Sequence, residues 1–559
     1  MQVQICHDRL TEALSILRQK MNARQPLFRL PLEVLQKVLS EVADQPEFIE
    51  PFWSSTAQDA TALRSILHTC RYLRELALSH RLLWRTIITH GTFAPTTMVT
   101  WSGDAPLNVV IWPYADMRAI LDDCCRSLVH RVQELHVVDI GHRHIKYLQA
   151  LLELEHPALL SYSIRGKPGD LTKWPTYTLP LSKTAAGTLQ DLHVRGVPLL
   201  PAVQLPFLTH IALCDVTHPH LGDAIVDVLE RCPNLQAVVL SNLGSVESNR
   251  HTLSATSTVL RRVTIRGRFY SLYDRLFPYR GDSDVSSVQF LLPPSTLNWK
   301  IPGDIPRFLE HVRSSATLLR VCLRGERSHH DVFASEVLVN LSMTAVGPNG
   351  VTHVVQTLGL PAPYVYDAYK ESNYMEQLRL PACLGLREVW VQRSSVTHHA
   401  EDQVRKYLRE IRHIITAIPS LDTIVLIHDR GAQDHCTYKP SLDACPSKSQ
   451  WSPSFHRPTT LILVFQGPPA SAYVLETIRF EEMLQALRSG EYDYFEHLVV
   501  RTMSQFVPME EALEELRKHF ATVRVEKISA VQELPLPASA IETRAGSYGG
   551  RKLWKDALW

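Results

Sequence analysis

One short phrase, leucine or another apolar residue followed at fixed spacing by an apolar–x–apolar core, returns along most of this chain. It reads "VQELHVVDI" from 132, "ALLSYSIRG" from 158, "TLQDLHVRGV" from 188, "FLTHIALCDV" from 207 and "NLQAVVLSNL" from 234. It returns as "VLRRVTIRG" from 259, "DVSSVQFLL" from 284, "LLRVCLRG" from 318, "GLREVWVQRSS" from 385, "SLDTIVLIHD" from 420 and "YFEHLVVRT" from 494. Alternation inside each phrase is the pattern of a half-buried strand. Helical spacing fills several of the intervals. "GDAIVDVLERCPNL" puts Ile225, Val228 and Leu229 on one face, and "PRFLEHVRSSATLL", "EDQVRKYLREIRHIITAIPSL" and "FEEMLQALRSGEYDYF" follow the same order.

A strand and a helix returning every few tens of residues cannot bury an apolar side one unit at a time, so the units must stack. The fold class expected is an α/β repeat, an irregular solenoid of the leucine-rich-repeat type over 131–527. Ordinary α/β packing is the alternative. The spacing is uneven, and the gaps near 341–389 and 389–463 exceed one unit, so insertions or long loops are expected there. The chain, at 559 residues, is long enough for several domains or one extended array.

Upstream the pattern is helical. In "LFRLPLEVLQKVLSEVA", Pro31 suits a first helical turn because it lacks an N–H and has a fixed φ. Val34, Leu35, Val38, Leu39 and Val42 then recur as one stripe. A second stripe begins with Leu63, Ile66 and Leu67 and a third with Leu73, Leu76 and Ala77, before "LLW" ends the unit at Trp84. Three short helices bury little surface alone and call for a partner.

These residues resemble an F-box. The matches are Leu30 and Pro31, Glu33 with Val34 and Leu35, Val38 and Leu39, Cys70 with Arg71 and Arg74, Ala77, and Leu83 with Trp84. "MVTWSGDAPLNVVI" is similar to the segment that follows the F-box in many F-box-like proteins of fungi. Departures are Leu73 where the family often has tryptophan, Thr69 where it often has valine, and a long loop from Ala43 to Thr61. The resemblance covers roughly 25–112. It divides the chain into an N-terminal helix (1–24), an all-α F-box-like unit (25–90), a connecting segment (91–130), the repeat region (131–527) and a tail (528–559).

The resemblance implies a substrate-recognition subunit of a cullin–RING ubiquitin ligase. Leu30, Pro31, Leu32, Val34, Leu35, Val38, Leu83 and Trp84 would hold a Skp-family adaptor. Some of them must instead bind the three helices together. The exposed strand positions of the solenoid would present a curved surface to a target protein. The alternative is a repeat scaffold without ubiquitin machinery, in which the "LPLEVLQKVL" stripe and Trp84 are sealed against the first repeat.

No bond chemistry is expected of the chain. Phosphate-loop, H-E-x-x-H and G-x-S-x-G motifs are missing from it. The histidine pairs His142/His144, His218/His220, His329/His330 and His398/His399 read as surface or loop residues. The best metal candidate, His428, Asp429, His435, Cys436 and Cys445, has no recognised zinc spacing, so no metal or other cofactor is expected. The 58 basic and 57 acidic residues nearly cancel, which gives no reason to expect nucleic acid or a membrane as partner. Ten cysteines dispersed in apolar stretches, with no signal-peptide pattern, suggest cytoplasm or nucleus.

Overall fold

In a computed structural model of the chain, the described residues are 2–22, 25–43, 60–89, 94–112, 126–167, 177–179, 181–216, 221–241, 243, 260–266, 287–292, 316–327, 337–347, 350–359, 385–393, 408, 411–412, 415–416, 418–429, 442, 444–451, 456–466, 483–502 and 510–528. The fold is mixed α/β with parallel sheets and, among these residues, no closed barrel. The chain divides into two compact units, within Met1–Val259 and within Leu260–Ile541. All eleven recurring phrases form strands.

The first unit opens with helices α1 (Gln2–Asn22), α2 (Leu32–Ala43), α3 (Ala60–Thr69) and α4 (Arg71–Ser79). Then come β1 (Thr86–Ile88), α5 (Pro95–Ser102), β2 (Leu107–Ile111), β3 (Val132–Ile140), α6 (Ile145–Glu153), β4 (Ser161–Gly166), β5 (Tyr177–Leu179), β6 (Asp191–Arg195), β7 (Leu199–Pro201), β8 (His210–Cys214), α7 (Leu221–Glu230) and β9 (Ala237–Ser241). Strands β1, β2, β3, β4, β6, β8 and β9 pair in that order, every pair parallel. Chain order equals sheet order, and each link repeats one device. The Leu160 carbonyl accepts the N–H groups of Gln190 and Asp191, that of Gln190 takes Thr209 and His210, and that of Thr209 takes Gln236 and Ala237.

One face of this sheet is apolar. Leu135, Val137, Tyr162, Ile164, Leu192, Val194, Ile211, Leu213, Val238 and Leu240 are buried, as are the apolar sides of α6 and of α7, including the expected Ile225, Val228 and Leu229. The strands end at a constant register. Asp139 and Asp215 sit at φ 56° and 52°, and Gly196 at 65°. Arg165 reaches back to Asp139 at 2.7 Å, and Arg195 forward to Asp215 at 2.8 Å. Here the backbones crowd. A Cβ on Gly166 would stand 2.3 Å from the Gly196 carbonyl oxygen and 2.8 Å from Val197. A neighbouring backbone cannot rotate away, so Gly166→Ala is expected to destabilise the unit by about 1–3 kcal/mol. A urea titration followed by circular dichroism reads this directly, and an unchanged midpoint would disprove the crowding.

The second unit contains β10 (Arg262–Arg266), β11 (Ser287–Leu292), β12 (Leu318–Arg327), β13 (Val337–Gly347), β14 (Gly350–Gly359), β15 (Glu388–Arg393), β16 (Thr423–Asp429), β17 (Thr460–Gln466), β18 (His497–Thr502), α8 (Glu510–Leu516) and β19 (Thr522–Lys527). Strands β12, β15, β16, β17, β18 and β19 pair in order and in parallel. The same double hydrogen bond recurs, from Arg387 and Glu388 to Thr317, from Asp422 and Thr423 to Arg387, and from Thr459 and Thr460 to Asp422. In the gap near 341–389, where insertions or loops are expected, an antiparallel hairpin, β13–β14, is inserted between β11 and β12. The second gap holds β16 and ends at β17. The segment 364–384 in the first gap and the tail 529–559 lie outside the described residues.

One expectation about the strands is corrected. Alternation implies one buried and one open face; β18 keeps that alternation and β19 is largely open, but at mid-strand in the inner strands of both units both faces are buried. In the second unit the face opposite Val389, Ile424 and Leu461 carries Trp390, Val425, Ile427, Ile462 and Val464, which form an apolar cluster of their own. In the first unit the second face is rich in polar residues, with Ala212, Ala237 and Val239 packed together at β8 and β9. Asn108, Glu134, His136, Ser163, His193 and His210 are all buried.

Candidate docking face and the buried polar row

The helical segment is built outward from Trp84. Its side chain is fully buried, its Nε1–H donates to the Ala77 carbonyl at 2.8 Å, and its ring meets Trp101 edge-on at 4.5 Å. The residues that carry the motif have local work to do. Cys70 is the N-cap of α4, its Sγ accepting from Leu73 N–H at 3.5 Å. Arg74 Nε donates to the Leu67 carbonyl at 2.7 Å, closing the end of α3. Ser40 Oγ and His80 Nε2 lie 3.1 Å apart and tie α2 to the end of α4. Burial pushes the His80 imidazole below its ordinary pKa.

The "WSGDAPL" stretch joins these helices to the sheet. Gly103 turns at φ 54°, where a side chain is strained. Arg131, one residue before β3, donates from Nε and Nη2 to the Ala105 carbonyl and from Nη2 to Ser102 Oγ. Through Arg85 the chain then enters β1, which pairs with β2, so the segment 25–90 is not the all-α unit expected: it contributes a strand to the sheet. Nothing in the periodicity of "MVTWSGDAPL" had marked Trp101 or Arg131 as the clamp.

The eight residues expected to hold a partner divide in two. Leu35 and Leu83 are 1% exposed and Trp84 0%. They belong to the core, so their expected docking role is corrected: no second molecule reaches them in this fold. Leu30, Leu32, Val34 and Val38 are 37–48% exposed, and Pro31 is exposed beside them. Pro31 starts α2, its carbonyl accepting the N–H groups of Val34 and Leu35. Leu27, Tyr72 and Leu82 are exposed apolar residues of the same helical segment, and Phe28 packs edge-on against Tyr72 at 5.5 Å. Such a row on one short helix and the turn before it has the composition of a protein-docking face.

The second candidate is the buried polar row of the first unit. Ser163 Oγ lies 2.6 Å from His136 Nδ1, and His136 Nε2 lies 3.3 Å from Glu134 Oε2. The connectivity is that of a serine–histidine–acid relay, but the geometry is wrong for acyl transfer. Ser163 sits in the middle of β4, flanked on both sides by paired strands. Its surrounding N–H groups serve the sheet and leave no oxyanion donors. The row instead pairs within itself at several points, while the Nδ1 atom of His193 is buried without a hydrogen bond. His210 Nδ1 lies 2.8 Å from Thr209 Oγ1 and 3.2 Å from Asp191.

His193 stands in register with Ser163 and beside Arg195. Burial, with the charges of Arg195 and His136 adding, drives its imidazole down to about 3. An unfolded histidine titrates near 6.5, so between these values the unfolded chain binds the extra proton. Stability is therefore full above about pH 6.5 and is lost as pH falls toward 3. Between about pH 7 and about pH 4.5 the wild type is expected to lose roughly 2–3 kcal/mol more than His193→Gln. Equal losses in urea titrations at the two pH values would remove His193 from that role.

Among the described residues of the candidate metal cluster no metal-ligating group forms. The Cys445 thiol is buried, within 3.8 Å of Tyr494 Oη, and burial pushes it up to about 12. His428 stacks on Phe465 at 5.3 Å. His435 and Cys436 lie outside the described residues, and no group of three or more metal-ligating side chains occurs among the described ones. His142 and His144 lie half-buried in the turn before α6, whereas His218, His220, His329, His330, His398 and His399 lie outside the described residues. Among the described residues no helix is long and apolar enough to cross a membrane. No protein-family model matches this chain, and no curated protein does.

Proposed function

We propose that this chain is an F-box-type substrate-recognition subunit of a cullin–RING ubiquitin ligase, acting in cytoplasm or nucleus. The exposed row Leu30, Pro31, Leu32, Val34 and Val38 holds a Skp-family adaptor. The observation that carries this reading is the division of the α2 stripe: Leu35 and Leu39 face inward while Val34 and Val38 stay uncovered. A helix built only to cap a sheet turns a polar side outward, whereas α2 leaves Leu32, Val34 and Val38 open. Trp84 acts indirectly, by keeping α2 and α4 in place.

The strands behind the module are assigned to an irregular solenoid of the leucine-rich-repeat type. In-order parallel pairing and the recurring double hydrogen bond support that assignment. Its strand ends, with the partly exposed Arg165–Asp139 and Arg195–Asp215 pairs, form the side offered to a target protein. The chain would place the target so that ubiquitin transfer elsewhere in the assembly becomes effectively intramolecular.

The alternative, a scaffold without ligase machinery, is favoured by one observation only, the sealing of Trp84 against Trp101. Co-expression with a Skp-family adaptor separates the two. A complex that survives size-exclusion chromatography supports the ligase reading, and a chain that elutes alone supports the scaffold.

A further inference from the structure

Strand β19 is the last of its sheet and, among the described residues, pairs with β18 alone. The hydrogen bonds show which of its backbone groups are spent. Thr522 N–H donates to the Glu496 carbonyl, and Ile528 N–H donates to the Thr502 carbonyl. Backbone groups alternate in direction along a strand, so Thr522, Arg524, Glu526 and Ile528 turn theirs toward β18. Val523, Val525 and Lys527 turn theirs outward. Together they line an open edge, a template for one more strand. The core also stops short here. Val525 stands in register with Val500, which is fully buried, yet is itself 37% exposed.

The charges on this edge say what fits it. Arg524 is exposed, and its side chain shares one face of the strand with Glu526. Glu526 accepts from Arg501 Nε on one carboxylate oxygen, Oε2, at 2.9 Å. Laid antiparallel about Val525, a second copy of β19 sets Val525 against Val525 and Val523 against Lys527. These are the residues whose backbone groups face out, so both become hydrogen-bonded pairs. Arg524 then stands opposite Glu526 of the second copy, twice over, in the closer non-hydrogen-bonded pairs. Other registers lose the match. Centred on Lys527, the pairing sets two lysines face to face, and centred on Val523 it sets Arg524 against Thr522. A parallel copy can offer the same edge only with its sheet turned over, which parts the two core faces.

We infer that β19 is a self-association edge, through which two copies of this chain join antiparallel, in register at Val525, into one continuous sheet. The Val525 pair closes the core at the junction. Glu526 then lies between Arg501 of its own chain and Arg524 of the second copy. The inference is independent of the adaptor reading, because no residue of β19 belongs to the α2 row. The seam is one short strand, small against the roughly 20–30 residues a side of a standard interface, so the dimer is weak.

Sedimentation equilibrium of the full chain without adaptor, at up to about 100 μM, tests this. The wild type is expected to dimerise. Val525→Pro removes the outward N–H at the centre of the seam and spares the ladder to β18, because proline is tolerated where an edge N–H faces out. It is expected to weaken the dimer by about tenfold or more, with an unchanged far-ultraviolet circular dichroism spectrum. Arg524→Glu and Glu526→Arg are each expected to weaken self-association. An equimolar mixture of these two variants is expected to associate again, because every 524–526 pair across the seam is then of opposite sign. A wild type that stays monomeric overturns the inference, as does a dimer that Val525→Pro leaves intact. A dimer indifferent to both charge variants overturns the register at Val525.

Discussion

Trp84→Ala is expected to cost about 3–5 kcal/mol for the buried ring, and about 1 kcal/mol more because the Ala77 carbonyl is left without its donor. That is a large part of the 5–15 kcal/mol that typically separates folded from unfolded domains. The loss falls on the whole first unit, because Trp84 joins α4, α5 and, through Trp101, Ser102 and Arg131, the start of β3. Trp84→Phe keeps most of the ring and gives up the 2.8 Å bond to Ala77, so it should lie between wild type and alanine. Urea titrations of the three proteins give the order. A Trp84→Ala midpoint equal to wild type would mean that the ring is not the keystone of this core.

The opposite signature is expected one helix away. Leu32→Asp with Val34→Asp changes two side chains that are open to solvent, so the urea midpoint should stay close to wild type. Adaptor affinity should fall by about a hundredfold or more, since anchors in a docked apolar row are commonly worth about 2 kcal/mol or more each. The two variants thus part stability from binding. Trp84→Ala loses both, and the α2 variant loses only binding. If Leu32→Asp with Val34→Asp binds the adaptor like wild type, the α2 row is not the docking face.

How much of this was visible in the residues differs from element to element. The strands were legible because an alternating apolar phrase is a local signal, and each such phrase became a strand. The stripe Leu73, Leu76, Ala77 on α4 was legible for the same reason, and all three are buried. What periodicity cannot give is the cover over each face. Both Val34 and Leu35 read as one stripe, because they sit about 100° apart on a helix, yet one is open and the other closed. Trp84 looked like a docking anchor because tryptophan is common in such anchors, whereas its indole N–H is spent inside the module on Ala77.

The histidines show the same limit. His142 and His144, conspicuous as a pair, belong to no metal-ligating group among the described residues, whereas His136, His193 and His210 stand singly inside strand phrases. Only the register of β3, β4, β6 and β8 brings them into one row. The hairpin β13–β14 is not announced by the phrase: "VLVNLSMTAV" carries its spacing at Leu338, Leu341 and Met343, "GVTHVVQTL" does not, and the two pair with each other in antiparallel, which a local pattern cannot show.

The most direct test of the proposed role is a calorimetric titration of the full-length chain with a purified Skp-family adaptor. A saturable 1:1 heat that disappears in Leu32→Asp with Val34→Asp is the expected result. An absence of heat with the wild-type chain, together with an unaltered sedimentation profile of the mixture, would contradict it.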